Sequence, residues 1–485
     1  MYTTYSRMNL AHKSTTICLL ILLTLTASAS ERKNILLICV DDLRPELNCF
    51  GVDYIHSPNI DQLAASGRAF YNHYVNAPTC GASRYTLLTG QYNLDSPQKN
   101  QNHLLFNRAS KLKEEPSSVS PSLPAWFRKN GYTTVSIGKV SHHPGGLGGK
   151  NWDDPNVVEM PNSWNLSLQP IGDWQHPRGV MHALAEGKIW GSGEILSVFE
   201  AFAGDDESYP DGLITETAIK QINKLDATGS PFFMAVGFIR PHLPFGAPKK
   251  YLDLYDECEL PAIAHPYKPK HPSSWQSSGE FMRYNRWSRN PISDPAFADD
   301  VRRHYAACVS YVDAQVGLLM DQFDRLGMRE NTIVVLWGDH GWHLGEHGVW
   351  GKHTLFEESL RSPLIISYTD IPESGEPCEA VVESIDIFPT LCDIAGIPIP
   401  EYIHGKTLKL QLDKPESLGH SAVGFQRHRK TIRTKNHRLV LHNNGYAELY
   451  DFSNAKDAGI NRAQDFPDVV LQLTEQLNER LKLNK

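Results

Sequence analysis

Residues 34–40 read Asn-Ile-Leu-Leu-Ile-Cys-Val, a continuous apolar run rich in branched side chains. Such a run suits a parallel strand buried on both faces. The signature returns at 132–137 (YTTVSI), 231–238 (PFFMAVGF), 332–337 (TIVVLW) and 363–367 (PLIIS). Between these runs apolar positions recur at helical spacing. They predict a helix opening at Ser57-Pro58 and others over 123–129, 215–225 and 304–326. Strands alternating with helices predict a doubly wound α/β sheet, mostly parallel. Near residue 400 the rhythm changes. Short strands are expected at 422–426, 430–434, 438–442 and 448–451, then a closing helix at 469–481, giving a small antiparallel sheet with one helix. The division this suggests is 30–400 and 401–485. Residues 97–122 and 145–195, rich in Pro, Gly, Asn and Ser, read as long loops over one face.

The first 29 residues follow another plan. Arg7, His12 and Lys13 precede the apolar run Ile17–Leu23, and Ala27-Ser28-Ala29 supplies a small-x-small pattern. That is the layout of a secretory signal peptide, and the run is too short to span a bilayer. The expectation is a secreted or periplasmic protein with no membrane span. Losing Arg7 and Lys13 moves the formal charge from -8 to -10, a poor match to nucleic acid. The eight cysteines include Cys18 in the leader, which leaves an odd seven with no C-x-x-C pair. That is not a disulfide framework. Ten Trp suit stacking on sugar rings and equally suit a large core.

Two of the expected strands run into acid clusters, Asp41-Asp42 and Asp339-His340. In open α/β sheets ligands sit beyond the C-terminal strand ends. One such cluster reads as a helix N-cap. Two at equivalent places favour a hard divalent cation with oxygen ligands.

Cys80-Gly81-Ala82-Ser83-Arg84, followed by Leu88-Thr89-Gly90, resembles the signature C-x-[PA]-x-R of the sulfatases. Position 82 is Ala where Pro is commoner. Asp41–Pro45, Gly138-Lys139-Val140-Ser141-His142, Arg240–Phe245, Asp339–Trp342 and Gly345–Gly348 with Lys352 are similar to blocks of the iduronate-2-sulfatase branch, as are Ile432-Arg433-Thr434 and Glu448-Leu449-Tyr450. The resemblance implies an alkaline-phosphatase-like core and hydrolysis of sulfate esters. It further implies that Cys80 is oxidised to formylglycine by a formylglycine-generating enzyme, which would account for the odd cysteine. It assigns one Ca2+ to Asp41, Asp42, Asp339, His340 and an oxygen of modified Cys80, with Arg84 holding the formylglycine. His340 stands where many sulfatases carry Asn. Lys139, His142, His242 and Lys352 would surround the sulfate, with His143 an alternative to His142. Arg44, Trp342 and Arg427 are the candidates for contacting the sugar and its carboxylate.

The implied substrate is a sulfated polysaccharide or oligosaccharide. The first expectation is a 2-O-sulfated uronate such as iduronate, in a glycosaminoglycan or an ulvan-type algal polymer. Two alternatives remain open on the residues alone. One is a phosphatase or phosphodiesterase on the same fold, which would normally use Ser or Thr where Cys80 stands. The other is an inactive carbohydrate-binding relative.

Overall fold

The computed structural model describes residues 1–3, 32–92, 120–146, 159–191, 193–453 and 459–482. The expected leader, apart from its first three residues, lies outside that set. So do 97–119 of one expected loop and 147–158 and 192 of the other.

The centre is an eight-stranded sheet. In chain order its strands are β1 (Asn34–Val40), β2 (Arg68–Tyr74), β3 (Thr133–Gly138), β4 (Leu166–Leu168), β5 (Phe232–Phe238), β6 (Thr332–Gly338), β7 (Leu364–Ser367) and β8 (Cys378–Glu383). Across the sheet the order is β8-β2-β7-β6-β1-β5-β3-β4. Only β7 runs against its neighbours; the remaining pairings are parallel.

The fully buried strands explain the unbroken apolar runs. Leu36, Ile38 and Val40 of β1 enter one hydrophobic core, and Ile35, Leu37 and Cys39 enter a second on the opposite face. Both faces of one strand are therefore out of water, as a sheet covered on both sides requires. The first core is built against helices Pro58–Ala65 (α1), Pro210–Asp226 (α4) and Pro295–Arg325 (α5). The second packs against Cys80–Thr89 (α2), Leu123–Lys129 (α3) and Ile387–Ile394 (α6).

Three expectations need correction. The long helix begins at Pro295, not 304, because the Asp294 side chain caps the amide of Phe297 and Pro295 takes a first-turn position needing no N–H partner. Strand β4 lies inside 145–195, which composition alone marked as loop; three residues are too few to show a period. Strands β2 and β8 were not anticipated. The sequence of β2, Arg-Ala-Phe-Tyr-Asn-His-Tyr, carries Arg68 and His73 inward, where Arg68 donates to the carbonyls of Pro372, Glu373, Glu376 and Leu412.

Four antiparallel strands follow: β9 (Ala422–Gln426), β10 (Arg429–Arg433), β11 (His437–His442) and β12 (Ala447–Asp451). The amphipathic helix α7 (Pro467–Lys482) lays Leu473 and Leu477 into the second core.

Strand register fixes where chemistry can occur. Val40 pairs with both Phe238 and Gly338, and Gly138 pairs with Gly237. Four strands therefore end level, delivering Asp41-Asp42, Lys139, Arg240–His242 and Asp339-His340 to one rim. Gly237 permits this closeness, since a Cβ there would meet the Lys139 backbone within 2.0–2.7 Å.

Candidate active site

Helix α2 brings Cys80 to that rim. Its flanking Thr79 is extended, and Gly90 closes the helix at φ +64°. Cys80 stands in the first turn, where the helix dipole favours negative charge. Arg84, four residues on, shares its face.

Three carboxylates meet three cations around Cys80, all buried. Arg84 Nε donates to Asp339 Oδ2 at 2.8 Å, and its Nη2 reaches Asp41 Oδ1 at 3.4 Å. Arg84 Nη1 also donates to the carbonyl of Val140 at 3.1 Å. Lys139 Nζ donates to Asp41 Oδ2. Lys352 Nζ donates to both Asp42 oxygens at 2.8 and 3.0 Å and lies 3.4 Å from Cys80 Sγ. The same sulfur is 3.1 Å from His340 Nε2. The Asp42 amide, in left-handed backbone (φ +59°), donates to Asp339 Oδ1 at 3.0 Å.

The electrostatics are uneven. Burial works against the Asp41 carboxylate, yet Lys139, His242 and Arg84 hold its pKa well below the usual range. Burial raises that of Asp42 well above it despite Lys352, since Asp41, Glu280 and Asp339 crowd it. Burial pushes the Cys80 thiol well up, so an unmodified Cys80 is a neutral thiol. Asp42 and other acids keep Lys352 charged against the pull of burial.

Two groups of donor atoms could share a cation: Asp41, Cys80, Asp339 and His340, and Asp41, Asp42, Cys80 and His242. Within each group the atoms lie within 4.8 Å of one another. Buried carboxylates that crowd one another suit a hard divalent ion such as Ca2+. Where formylglycine forms, an oxygen replaces the sulfur and makes the donor set still harder.

His142 and His143 differ in their partners. His143 Nδ1 contacts Glu159 Oε1 at 2.9 Å, and its amide donates to the same carboxylate. His142 Nδ1 is buried with no hydrogen-bond partner. Burial, His143 and Lys139 hold the pKa of His142 well below the ordinary value. His242, between the cis bonds Arg240–Pro241 and Leu243–Pro244, has Nδ1 2.7 Å from the Leu243 carbonyl and Nε2 4.0 Å from Asp42.

The three sugar-contact expectations fare differently. Trp342 is fully buried, stacked edge-on against Phe245 and 5.3 Å below Lys352 Nζ. It supports Lys352 from beneath and cannot meet a sugar from that position. Arg44 donates to the Trp342 carbonyl at 3.0 Å and to Glu346 at 2.9 Å, with Glu46 at 3.3 Å. Its guanidinium is committed to two carboxylates of its own chain. Arg427 stands exposed in the β9–β10 turn at φ +53°.

Sequence reasoning missed a second ring of residues. Glu280 lies 3.4 Å from His242 Nε2, 3.7 Å from Lys352 Nζ and 4.0 Å from His353 Nε2. His182 faces His242 at 5.2 Å between ring centroids. Its Nδ1 lies 2.8 Å from the Tyr284 hydroxyl. All sit on irregular segments, where no period or motif marks them.

A family model described as "Sulfatase" matches residues 33–397. The chain is a sulfatase. Within that family it belongs to the iduronate-2-sulfatase-like branch. It is 31% identical to human iduronate 2-sulfatase over 413 residues, covering 77% of this chain and 70% of that one. It is 27% identical to an ulvan-active sulfatase of Formosa agariphila, covering 79% and 66%. A second model, "N-sulphoglucosamine sulphohydrolase, C-terminal", matches 345–483 of this sulfatase. Among solved structures, one in complex with its substrate D-glucosamine-2-N,6-O-disulfate superposes with a TM-score of 0.70 at 21% identity, covering 93% of this chain and 98% of that one. The phosphonate monoester hydrolase of Agrobacterium radiobacter gives 0.73 at 21%, covering 94% and 96%. These last two likenesses establish the alkaline-phosphatase-like fold. The family establishes a sulfuric ester hydrolase.

Proposed function

We propose that this sulfatase hydrolyses a sulfate ester on a sugar, using formylglycine made from Cys80 and one bound Ca2+. The observation that carries this reading is the position of Cys80 Sγ, within 3.4 Å of both His340 and Lys352 and beside Asp42. Asp41, Asp42, Asp339 and His340 would hold the ion. When bound, the ion would lower the pKa of one hydroxyl of the hydrated aldehyde, readying a nucleophile near neutral pH.

The chain's own residues would do the rest. Arg84, tied to Asp339, fixes the formylglycine and offsets its charge. The hydroxyl oxygen bonds to sulfur while the bond from sulfur to the sugar oxygen breaks. Lys139 and Lys352 balance charge on the sulfuryl oxygens. His242, with Lys352 nearby, gives a proton to the departing oxygen. Burial and Lys352 keep His242 neutral here, and a bound sulfate would favour its charged form. His142, kept unprotonated, accepts the proton of the second hydroxyl as sulfate leaves and the aldehyde returns. Such proton transfers typically contribute about 10²- to 10⁴-fold each.

The activities of the iduronate 2-sulfatase and ulvan-active relatives support a 2-O-sulfated uronate, in a glycosaminoglycan or ulvan-type polymer, as the first substrate to test. The leader pattern supports export, with a formylglycine-generating enzyme acting during maturation. Two measurements test the core of the reading. Mass spectrometry of the tryptic peptide bearing Cys80 should find it lighter than the cysteine form. Aryl sulfate should be turned over faster than aryl phosphate, and EDTA should stop both. An unmodified Cys80, or faster phosphate turnover, would overturn the proposal.

A further inference from the structure

An aromatic path leads from the reaction centre to solvent. It starts at His242, whose ring faces His182 at 5.2 Å. His182 lies 5.9 Å from Trp190, and both rings contact Tyr284. Trp190 and Tyr284 pack edge to face at 5.0 Å and 65°. Tyr284 is nearly inaccessible, and its hydroxyl is engaged with His182. Trp190, in contrast, leaves 40% of its surface in water. A large apolar ring left exposed at the outer end of such a path costs stability and offers a flat stacking face.

Glu280 supplies the polar half. Burial opposes its charge, but Lys352, His353 and His182 bring its pKa below the ordinary carboxylate value. Its carboxylate, 24% exposed, pairs with Lys352 Nζ at 3.7 Å beside a site that must accept an anionic sulfate. Such a charge is tolerable only where the substrate presents something other than its sulfate. Glu280 touches Lys352 and His242, the two groups that face the departing sugar oxygen, so it stands where the sulfate ends and the sugar begins. There its oxygens can accept hydrogen bonds from hydroxyls. A carboxylate on the same edge of the substrate would be repelled.

We propose that Trp190, braced by Tyr284 and His182, together with Glu280 forms the subsite for the sugar ring that carries the sulfate. The carbon-bound hydrogens of one ring face pack on the indole of Trp190. The hydroxyls of the adjoining edge donate to Glu280. A uronic acid binds here only with its carboxylate turned away from Glu280.

The inference rests on the sulfatase reading, so the test measures binding apart from turnover. Calorimetry would give Kd values for two probes, the methyl glycosides of 2-O-sulfated iduronate and of 6-O-sulfated galactose. Wild type, Trp190→Ala, Trp190→Phe and Glu280→Gln would be compared, with the inhibition constant of inorganic sulfate as a reference. Trp190→Ala should weaken the better-bound glycoside about 10-fold or more, while inhibition by inorganic sulfate shifts less than about 2-fold. Trp190→Phe should recover most of the loss. Glu280→Gln should improve the iduronate probe relative to the galactose probe. Equal affinity in wild type and Trp190→Ala would overturn the subsite, as would an equal loss for inorganic sulfate or no binding of either probe to wild type. Absence of sulfate-ester turnover with sugar binding still dependent on Trp190 would overturn the catalytic reading and leave the subsite standing.

Discussion

Two of the buried ionic clusters among the described residues are unlike. Around Cys80, Asp41, Asp42 and Asp339 meet Arg84, Lys139 and Lys352. The other cluster spans 388 positions of sequence, where Tyr92, Glu383, Asp386, His420 and Arg480 join β8 and the segment after α2 to the last helix. There every carboxylate oxygen is met. Glu383 accepts from Asn76, Tyr92, Arg480 and the Val423 amide. Asp386 accepts from the amides of Glu383 and Lys406, and its Oδ2 lies 2.7 Å from His420 Nε2. Its pKa falls and that of His420 rises, as in a settled ion pair. Around Cys80 the shifts are mixed: Asp41 falls and Lys352 rises, yet Asp42 goes up and His142, His242 and His340 go down. Burial of charge is common to both. What separates them is that acid and base hold their charged forms in one cluster, whereas in the other Asp42 and three histidines are driven toward their neutral forms and His142 Nδ1 is left without a partner. Glu383, Asp386 and His420 sit close enough to share a cation. Arg480 and His420 already supply the positive charge there.

That contrast can be broken in four ways. Cys80→Ser should reduce kcat/KM on aryl sulfate by on the order of 10³-fold or more, with an unchanged thermal midpoint. A variant that kept wild-type turnover would remove Cys80 from the chemistry. Chelation by EDTA should lower turnover to roughly a hundredth or less and also lower the thermal midpoint, because bound ligand stabilises the native state. Added Ca2+ should restore both; recovery with Zn2+ alone would point to a different ion. Arg480→Ala should behave oppositely. It leaves Glu383 buried beside one fewer cation, so urea unfolding should show a loss of about 3–5 kcal/mol, with little change in kcat per folded molecule.

The smallest effect is a pH slope. Asp386 and Glu383 raise His420 from 6.5 to about 9 against the pull of burial, while Arg480 opposes them. Because the folded value is the higher one, this contribution is complete below about pH 6.5 and is lost as pH climbs through 9. It is worth roughly 2–3 kcal/mol. Unfolding free energies taken across that window should fall less steeply in His420→Gln than in wild type. Parallel slopes would show that His420 does not titrate with folding.

The two clusters also differ in how far sequence reveals them. Asp41-Asp42 and Asp339-His340 were legible because each ends a continuous apolar strand, and strand ends have a known geometric meaning. Cys80 and Arg84 were legible as one helix face. The saturated cluster was not, since Glu383 and Asp386 close an edge strand that periodicity did not reveal and His420 stands in an irregular link. Glu280, His182, Tyr284 and Trp190 were invisible for the same reason: their segments have no repeat, and only the packed fold brings them together. Trp342 and Arg44 show the converse error. A conspicuous residue near a motif looked like a ligand contact, yet one is a floor beneath Lys352 and the other is bound to Glu46 and Glu346. Strand β7 was foreseen as a strand, but its reversed direction follows from partners β2 and β6, which local composition does not encode.

The saturated cluster has a consequence in time. Arg480 bonds to Glu383, 97 positions earlier, and to Tyr92, 388 positions earlier. During synthesis those two side chains emerge long before their cation. Until residue 480 is available, Glu383 lacks one of its two counter-charges. The last helix thus closes the cluster: a chain that stopped just short of residue 480 would carry the whole catalytic core with Tyr92 and Glu383 still lacking Arg480.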